Sequence, residues 1–157
     1  MSILLQEEQL YERARIYATD IQEEVLEKAQ TGIFPVKNMQ KYTQNYIAAG
    51  GKGFFSDYYS ANDNAATFNS ELLKNIVFAR HNLVTDESFN EFNVIFCRNV
   101  MIYFDKSLQN RVHRLFYESL SMFGVLVLGD RESLRFSEYA DCYEPLDKHE
   151  KLYRKIK

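Results

Sequence analysis

Phe92-Asn93-Val94-Ile95-Phe96-Cys97-Arg98-Asn99-Val100-Met101-Ile102-Tyr103-Phe104-Asp105 is the stretch that decides how this chain is read. The run from Val94 to Cys97 is short and rich in β-branched and aromatic side chains, the mark of a buried strand. Arg98 and Asn99 follow at once, and a second apolar step leads to Tyr103. A cation and an amide are costly to bury without a partner. In open α/β sheets, moreover, ligands bind at the carboxyl ends of the strands. The segment predicts a strand over 93–97 with a candidate site at its end.

Working outward, Leu108, Val112, Leu115, Phe116 and Leu120 share one helical face and predict a helix over 105–121. Gly124 to Gly129 reads as a buried strand, and two further strands are expected at 139–144 and 151–156, separated by Pro145. Upstream, residues 2–13 read as the tail of a helix and 15–19 as a strand ending at Asp20. Asp20 with Glu23 matches a capping box, with Asp in place of Ser or Thr. Ile21, Val25, Leu26 and Ala29 then give an apolar helix face that Gly32 terminates. Ile76 to Arg80 is another core strand, ending at His81-Asn82. Strands alternating with helices predict an α/β fold with a mainly parallel sheet, closed by an antiparallel pair. Residues 33–75 break the rhythm: a polar helix at about 37–48, a glycine-rich stop at 50–53, and a hairpin with arms 54–59 and 66–69 around Asn62-Asp63-Asn64. They predict a small antiparallel excursion from the main sheet.

The 157 residues suffice for one domain with a sheet and covering helices. Nineteen basic and 22 acidic residues leave a net charge of -3, and no basic run interleaves with aromatics, which argues against nucleic-acid binding. Cys97 and Cys142 lack metal-ligand spacing and point to a reduced, cytoplasmic protein. No run approaches the length of a membrane helix, and no signal-peptide pattern opens the chain.

Asp20, Asn82 and the pair Arg98-Asn99 all close predicted strands, so a parallel sheet would bring them to one edge. A carboxylate there suits the two hydroxyls of a ribose, Asn82 suits an adenine edge, and Arg98 offers a donor fork to a carboxylate. Each also has a purely structural reading. Asp20 serves as a helix cap, Asn82 satisfies loop backbone, and Arg98 pairs with Asp105, Asp130 or Glu132. Tyr103 on an apolar step reads more readily as core than as catalytic.

With those residues in view, the chain resembles the CheR family, the S-adenosylmethionine-dependent protein-glutamate O-methyltransferases of chemotaxis receptors. The matching segments are Ile16-Tyr17-Ala18-Thr19-Asp20-Ile21, Val25-Leu26-Glu27-Lys28-Ala29, Gly32-Ile33-Phe34-Pro35, Phe78-Ala79-Arg80-His81-Asn82-Leu83, Ile95 to Asp105, and Leu128-Gly129-Asp130-Arg131-Glu132-Ser133-Leu134. Tyr143 to Lys155 is similar to the family's closing hairpin. The resemblance implies a Rossmann-like methyltransferase sheet with an antiparallel β-subdomain inserted at about 33–75. It implies that Asp20 holds the cofactor ribose, that Asn82 and Leu83 flank the adenine, and that Asn99 lines the same pocket. Arg98 and Tyr103 are then placed near the methyl donor and the substrate carboxylate, and the protein substrate is the cytoplasmic domain of a chemotaxis receptor.

The family's first strand and its glycine-containing loop have no counterpart here, since no glycine precedes Gly32. The chain thus reads as a partial catalytic domain, truncated at its N-terminal side. Three expectations follow: an opened sheet edge, weak or absent cofactor binding by this chain alone, and self-association through the edge. The competing reading is a non-catalytic interaction module descended from the same fold. A nucleotide-binding regulator would need a phosphate loop, and no Gly-rich strand-to-helix turn occurs.

Overall fold

The computed structural model describes residues 1–135 and 137–157, which divide into two units, Met1–His81 and Asn82–Lys157. The first opens with α1 (Ser2–Glu7), shorter than the predicted span. Gln9 takes a φ of 58° and Leu10 N–H donates to Leu5 O, closing the helix; residues 11–13 form one 3-10 turn. Next come β1 (Ile16–Asp20) and α2 (Glu23–Gln30). The predicted capping box does not form. Asp20 continues the strand, so its carboxylate reaches only two residues on and accepts from Gln22 N–H at 2.8 Å. Gln22 becomes the N-cap, without a side-chain bond. Of the expected apolar face of α2 only Leu26 is fully buried; Ile21 and Val25 are 49% and 45% exposed. The helix packs mainly on β1 and one partner strand, which leaves part of that face open.

Gly32, at a φ of 63°, turns the chain into β2 (Ile33–Pro35), a conformation that costs glycine nothing. It is followed by α3 (Met39–Ala48), β3 (Tyr59–Ala61), β4 (Ala65–Phe68) and β5 (Ile76–Arg80). β2, β4 and β3 make a three-stranded antiparallel sheet, in that order. The hairpin turn is tied by Asn62, whose Oδ1 accepts from Asn64 and Ala65 N–H. Its first arm starts at Tyr59 rather than at 54, because 55–58 wind into a 3-10 turn that drives Phe55 into a core with Met39 and Ala66. The rings of Tyr46, Tyr59 and Phe68 pack around Phe55 at centroid distances of 5.3, 5.6 and 5.9 Å. β2 was not expected as a strand; three residues are too few to show an alternating pattern. β5 returns to pair in parallel with β1, from Ile16 opposite Ile76 to Asp20 opposite Arg80.

The second unit contains β6 (Phe92–Cys97), α4 (Lys106–Ser119), β7 (Leu120–Leu128), β8 (Tyr143–Asp147) and β9 (Leu152–Lys155). They form one sheet in the order β6-β7-β9-β8, with β6 and β7 parallel and the other pairs antiparallel. Asp105 caps α4 by accepting from Leu108 N–H at 2.9 Å. Val112, Leu115, Phe116 and Leu120 are buried as expected, and Leu108 is half-buried. Cys97, Met101, Val112, Phe116, Leu120, Leu126, Leu128, Leu134 and Tyr143 make the core. β7 starts at 120, four residues before its predicted beginning, and absorbs an irregular register where Phe123 takes a φ of 65°. Lys155 Nζ donates to the carbonyls of Tyr117 and Leu120 and so ends the helix at that point. β8 lies later than expected and contains Pro145 instead of stopping before it. It is an edge strand with a register shift beside the proline, where a missing N–H is tolerated.

The fold is thus mixed α/β, and its strands fall into separate sheets, in keeping with an opened sheet edge. The two parallel pairs, β1/β5 and β6/β7, belong to different units, and among the described residues β1 and β6 each pair on one side only. No helix among the described residues is long and apolar enough to cross a membrane.

Candidate active site

At the end of β6 the chain must leave a buried strand and present polar groups. Cys97 is 5% exposed, and the next residues emerge: Arg98, Asn99 and Val100 are all exposed. Asn99 takes a φ of 61°, a left-handed conformation in which Asn is among the more tolerant side chains. Met101, 2% exposed, plunges back into the core and begins a 3-10 turn over Met101–Tyr103. Gln109 Nε2 from α4 donates to the Met101 and Phe104 carbonyls and pins that turn to the helix. Tyr103 is left 82% exposed, so it is not the core residue that an apolar step suggests.

The three acidic candidates for Arg98 have separate tasks. Asp105 caps α4, and Asp130 receives Arg98 Nη2 at 3.0 Å. Glu132 points inward instead. Its Oε1 accepts from Val100 and Met101 N–H at 2.9 and 2.8 Å, and its Oε2 from Asn99 and Gly129 N–H at 3.0 and 2.7 Å. Glu132 is only 5% exposed, and four donors compensate its carboxylate for lost water. Gly129 is required beside it: a Cβ there would lie 2.8 Å from Asn99 N, Asn99 Oδ1 and Glu132 Oε2. Sequence reasoning missed this role of Glu132. The one available signal was a carboxylate three residues after a glycine that closes a buried strand.

The other predicted residues are satisfied locally. Asp20, at the end of β1 in the first unit, bonds Gln22 and stays half-buried. Beside that strand end Ile21, Gln22, Glu23, Glu24, Glu27 and Arg80 line an open, mostly acidic cleft. Asn82 Oδ1 accepts from Val84 N–H at 2.9 Å while its own N–H donates to Asp86, so its loop role is real. Leu83 packs against the core that holds Cys97 and Met101, which brings it into the same unit as Arg98 and Asn99.

Burial shifts two ionisable groups of the second unit, Cys97 and His113. Burial, reinforced by the Glu132 charge, pushes the Cys97 thiol up to about 12, so it is inert at neutral pH. Burial also holds His113 below its ordinary value, only partly opposed by Glu132, and its Nδ1 has no partner. No group of His, Cys, Asp and Glu suited to a metal occurs among the described residues. The arrangement offers a surface guanidinium and phenol on a tightly held backbone, which suits positioning rather than proton transfer.

Residues 1–148 match the family CheR methyltransferase, SAM binding domain. A Pseudomonas putida relative named methyltransferase Cher3 is 48% identical over 99% of this chain and 57% of its own length. The chemotaxis protein methyltransferase of Escherichia coli K12 is 32% identical over 80% of this chain and 43% of its own length. The chain therefore spans about half the length of the curated relatives it matches. A solved structure, the N-methyltransferase NodS of Bradyrhizobium japonicum, aligns with 96% of this chain at 12% identity and a TM-score of 0.48. On the family match and these relatives, the chain belongs to the CheR methyltransferases, over their S-adenosylmethionine-binding domain.

Proposed function

We propose that this chain takes part in methyl transfer from S-adenosylmethionine to glutamate side chains of chemotaxis-receptor cytoplasmic domains. The observation that carries this reading is the corner after β6, where Arg98 and Tyr103 are exposed on a backbone fixed from beneath. The cofactor supplies a methyl group already activated on a sulfonium. A glutamate side chain, with a pKa of about 4.3, is ionised at neutral pH and needs no base. What remains for the protein is alignment, which is worth several kcal/mol when reacting atoms are held in line.

Each residue assigned to the cofactor by the family resemblance has the chemistry its contact would need. Asp20 would hold the ribose hydroxyls, since Gln22 N–H engages only one of its two oxygens. Asn82 and Leu83 would flank the adenine, and Asn99 would line the pocket. Arg98 would orient the substrate carboxylate. Its present pairing with Asp130 is between exposed groups, a contact worth about 0–1 kcal/mol, so exchanging it for a substrate carboxylate costs little. Tyr103 would border the transfer path.

Calorimetric titration with S-adenosylhomocysteine tests the reading. Binding that Asp20→Ala abolishes supports it, and methyl incorporation into a receptor fragment that Arg98→Ala abolishes completes it. Binding unaffected by both substitutions sinks this residue assignment. Absent binding by a folded chain, with retained association with a receptor fragment, favours the interaction-module reading.

A further inference from the structure

We infer that Glu132 is a positioning residue for methyl transfer, acting through the backbone that carries Arg98, Asn99 and Tyr103. The inference rests on the function proposed above and extends it to a residue outside the predicted site.

The argument starts from what holds Arg98 and Tyr103. Both are exposed, so burial does not restrain them, and Arg98 has only a surface ion pair. Their location is set by the main chain between them. That main chain departs from ordinary geometry at Asn99, with a φ of 61°, followed by Val100 at a φ of -105° and ψ of -53°. Alternating left- and right-handed residues turn successive N–H groups toward one point, forming a concavity that attracts an anion. Here the N–H groups of Asn99, Val100 and Met101 converge on the Glu132 carboxylate, and Gly129 adds a fourth donor. A carboxylate has about four lone-pair sites, and the four backbone donors take them all. Its whole hydrogen-bonding capacity goes to the shape of the corner.

Glu132→Gln tests this with almost no change of volume. The amide places an N–H₂ where a carboxylate oxygen faces two N–H donors, so two of the four bonds become repulsive. The first readout is hydrogen exchange of the Asn99, Val100, Met101 and Gly129 amides in this chain. At least about tenfold acceleration is expected there, with exchange across β7 and β9 unchanged. The second is the turnover number for transfer from S-adenosylmethionine to a receptor cytoplasmic fragment. Displacement of aligned groups by about 1 Å costs on the order of 100-fold. That loss is expected with Arg98 present and is expected to shrink below about threefold in an Arg98→Ala background, since the two act as one unit. Gly129→Ala leaves the carboxylate intact but crowds it, and reproduces the pattern if Glu132→Gln does not fold.

Unchanged exchange would overturn the clamp. Faster exchange with unchanged turnover, or a loss fully additive with Arg98→Ala, would overturn the positioning role. A wild-type chain that binds S-adenosylhomocysteine yet transfers no methyl overturns the proposed function and, with it, the positioning role; the exchange readout reports whether the clamp exists in either case.

Discussion

The ends of β1 and β6 face the same problem and solve it differently. Each strand must deliver a polar group to the surface while its own backbone stays ordered. At β1 the solution is local: Asp20 folds its carboxylate onto Gln22 N–H, two residues away, in a half-exposed turn. At β6 the solution comes from the other side of a parallel neighbour, where Glu132, 33 residues beyond Asn99, reaches under the corner. A local turn can be lost cheaply because water replaces the bond. A buried carboxylate cannot, because two of the donors it satisfies, the Met101 and Gly129 N–H groups, are buried away from water.

The largest effect is expected from Glu132→Ala. It strips the acceptor from the buried Met101 and Gly129 N–H groups and from two part-buried ones. At about 1–3 kcal/mol per buried donor, a loss of roughly 2–6 kcal/mol is expected in urea denaturation. Asp20→Ala should cost about 1 kcal/mol or less in the same experiment, and should lower whatever S-adenosylhomocysteine affinity the chain retains. Equal stability losses at the two strand ends would break the comparison.

The units should also separate by pH. His113, buried in the second unit, has its pKa lowered from 6.5 by burial. Below that value the unfolded chain binds a proton that the folded chain refuses, so stability falls as pH drops through about 6.5. His113→Leu should flatten this slope between pH 7 and 5. In the first unit Glu7 is held below its ordinary 4.5, chiefly by the Tyr46 hydroxyl it accepts from. A depressed carboxylate contributes stability above the unfolded value and loses it as pH falls through the folded one. The Glu7 contribution is therefore lost only below about 4.5. Unfolding followed by hydrogen exchange across the two units reads both slopes, and a common midpoint shift would remove the distinction.

Two smaller effects sharpen the picture. The edges of β1 and β6 that have no partner among the described residues should give weak, concentration-dependent self-association in sedimentation velocity, and a monomer at every concentration counts against it. Cys142 should react with a thiol reagent well before Cys97, whose thiol is buried and held protonated.

Much of this was legible from residues alone. Strands read at 15–19, 76–80 and 93–97 stood out as short β-branched and aromatic runs, each within one residue of its observed span, and α4 as an apolar face of period 3.6. Polar residues directly after buried strands marked the candidate site. The Asn-rich hairpin turn was visible for the same reason: its interactions span at most three residues. Errors fell where tertiary packing overrides local preference. Phe55 pulls 54–58 out of the hairpin arm, Lys155 stops α4 by taking its last carbonyls, and an edge position lets β8 run through Pro145.

Sequence by itself determined the strand–helix rhythm, the family and the residues that close each strand, since all of these are written in neighbouring side chains. Tertiary structure alone decided that Arg98 takes Asp130, that Asp105 caps a helix, and that Glu132 lies beneath the corner between them. The three carboxylates are chemically alike. Only the fold distinguishes them, by sending two to the surface and burying the third among backbone donors that nothing else can satisfy.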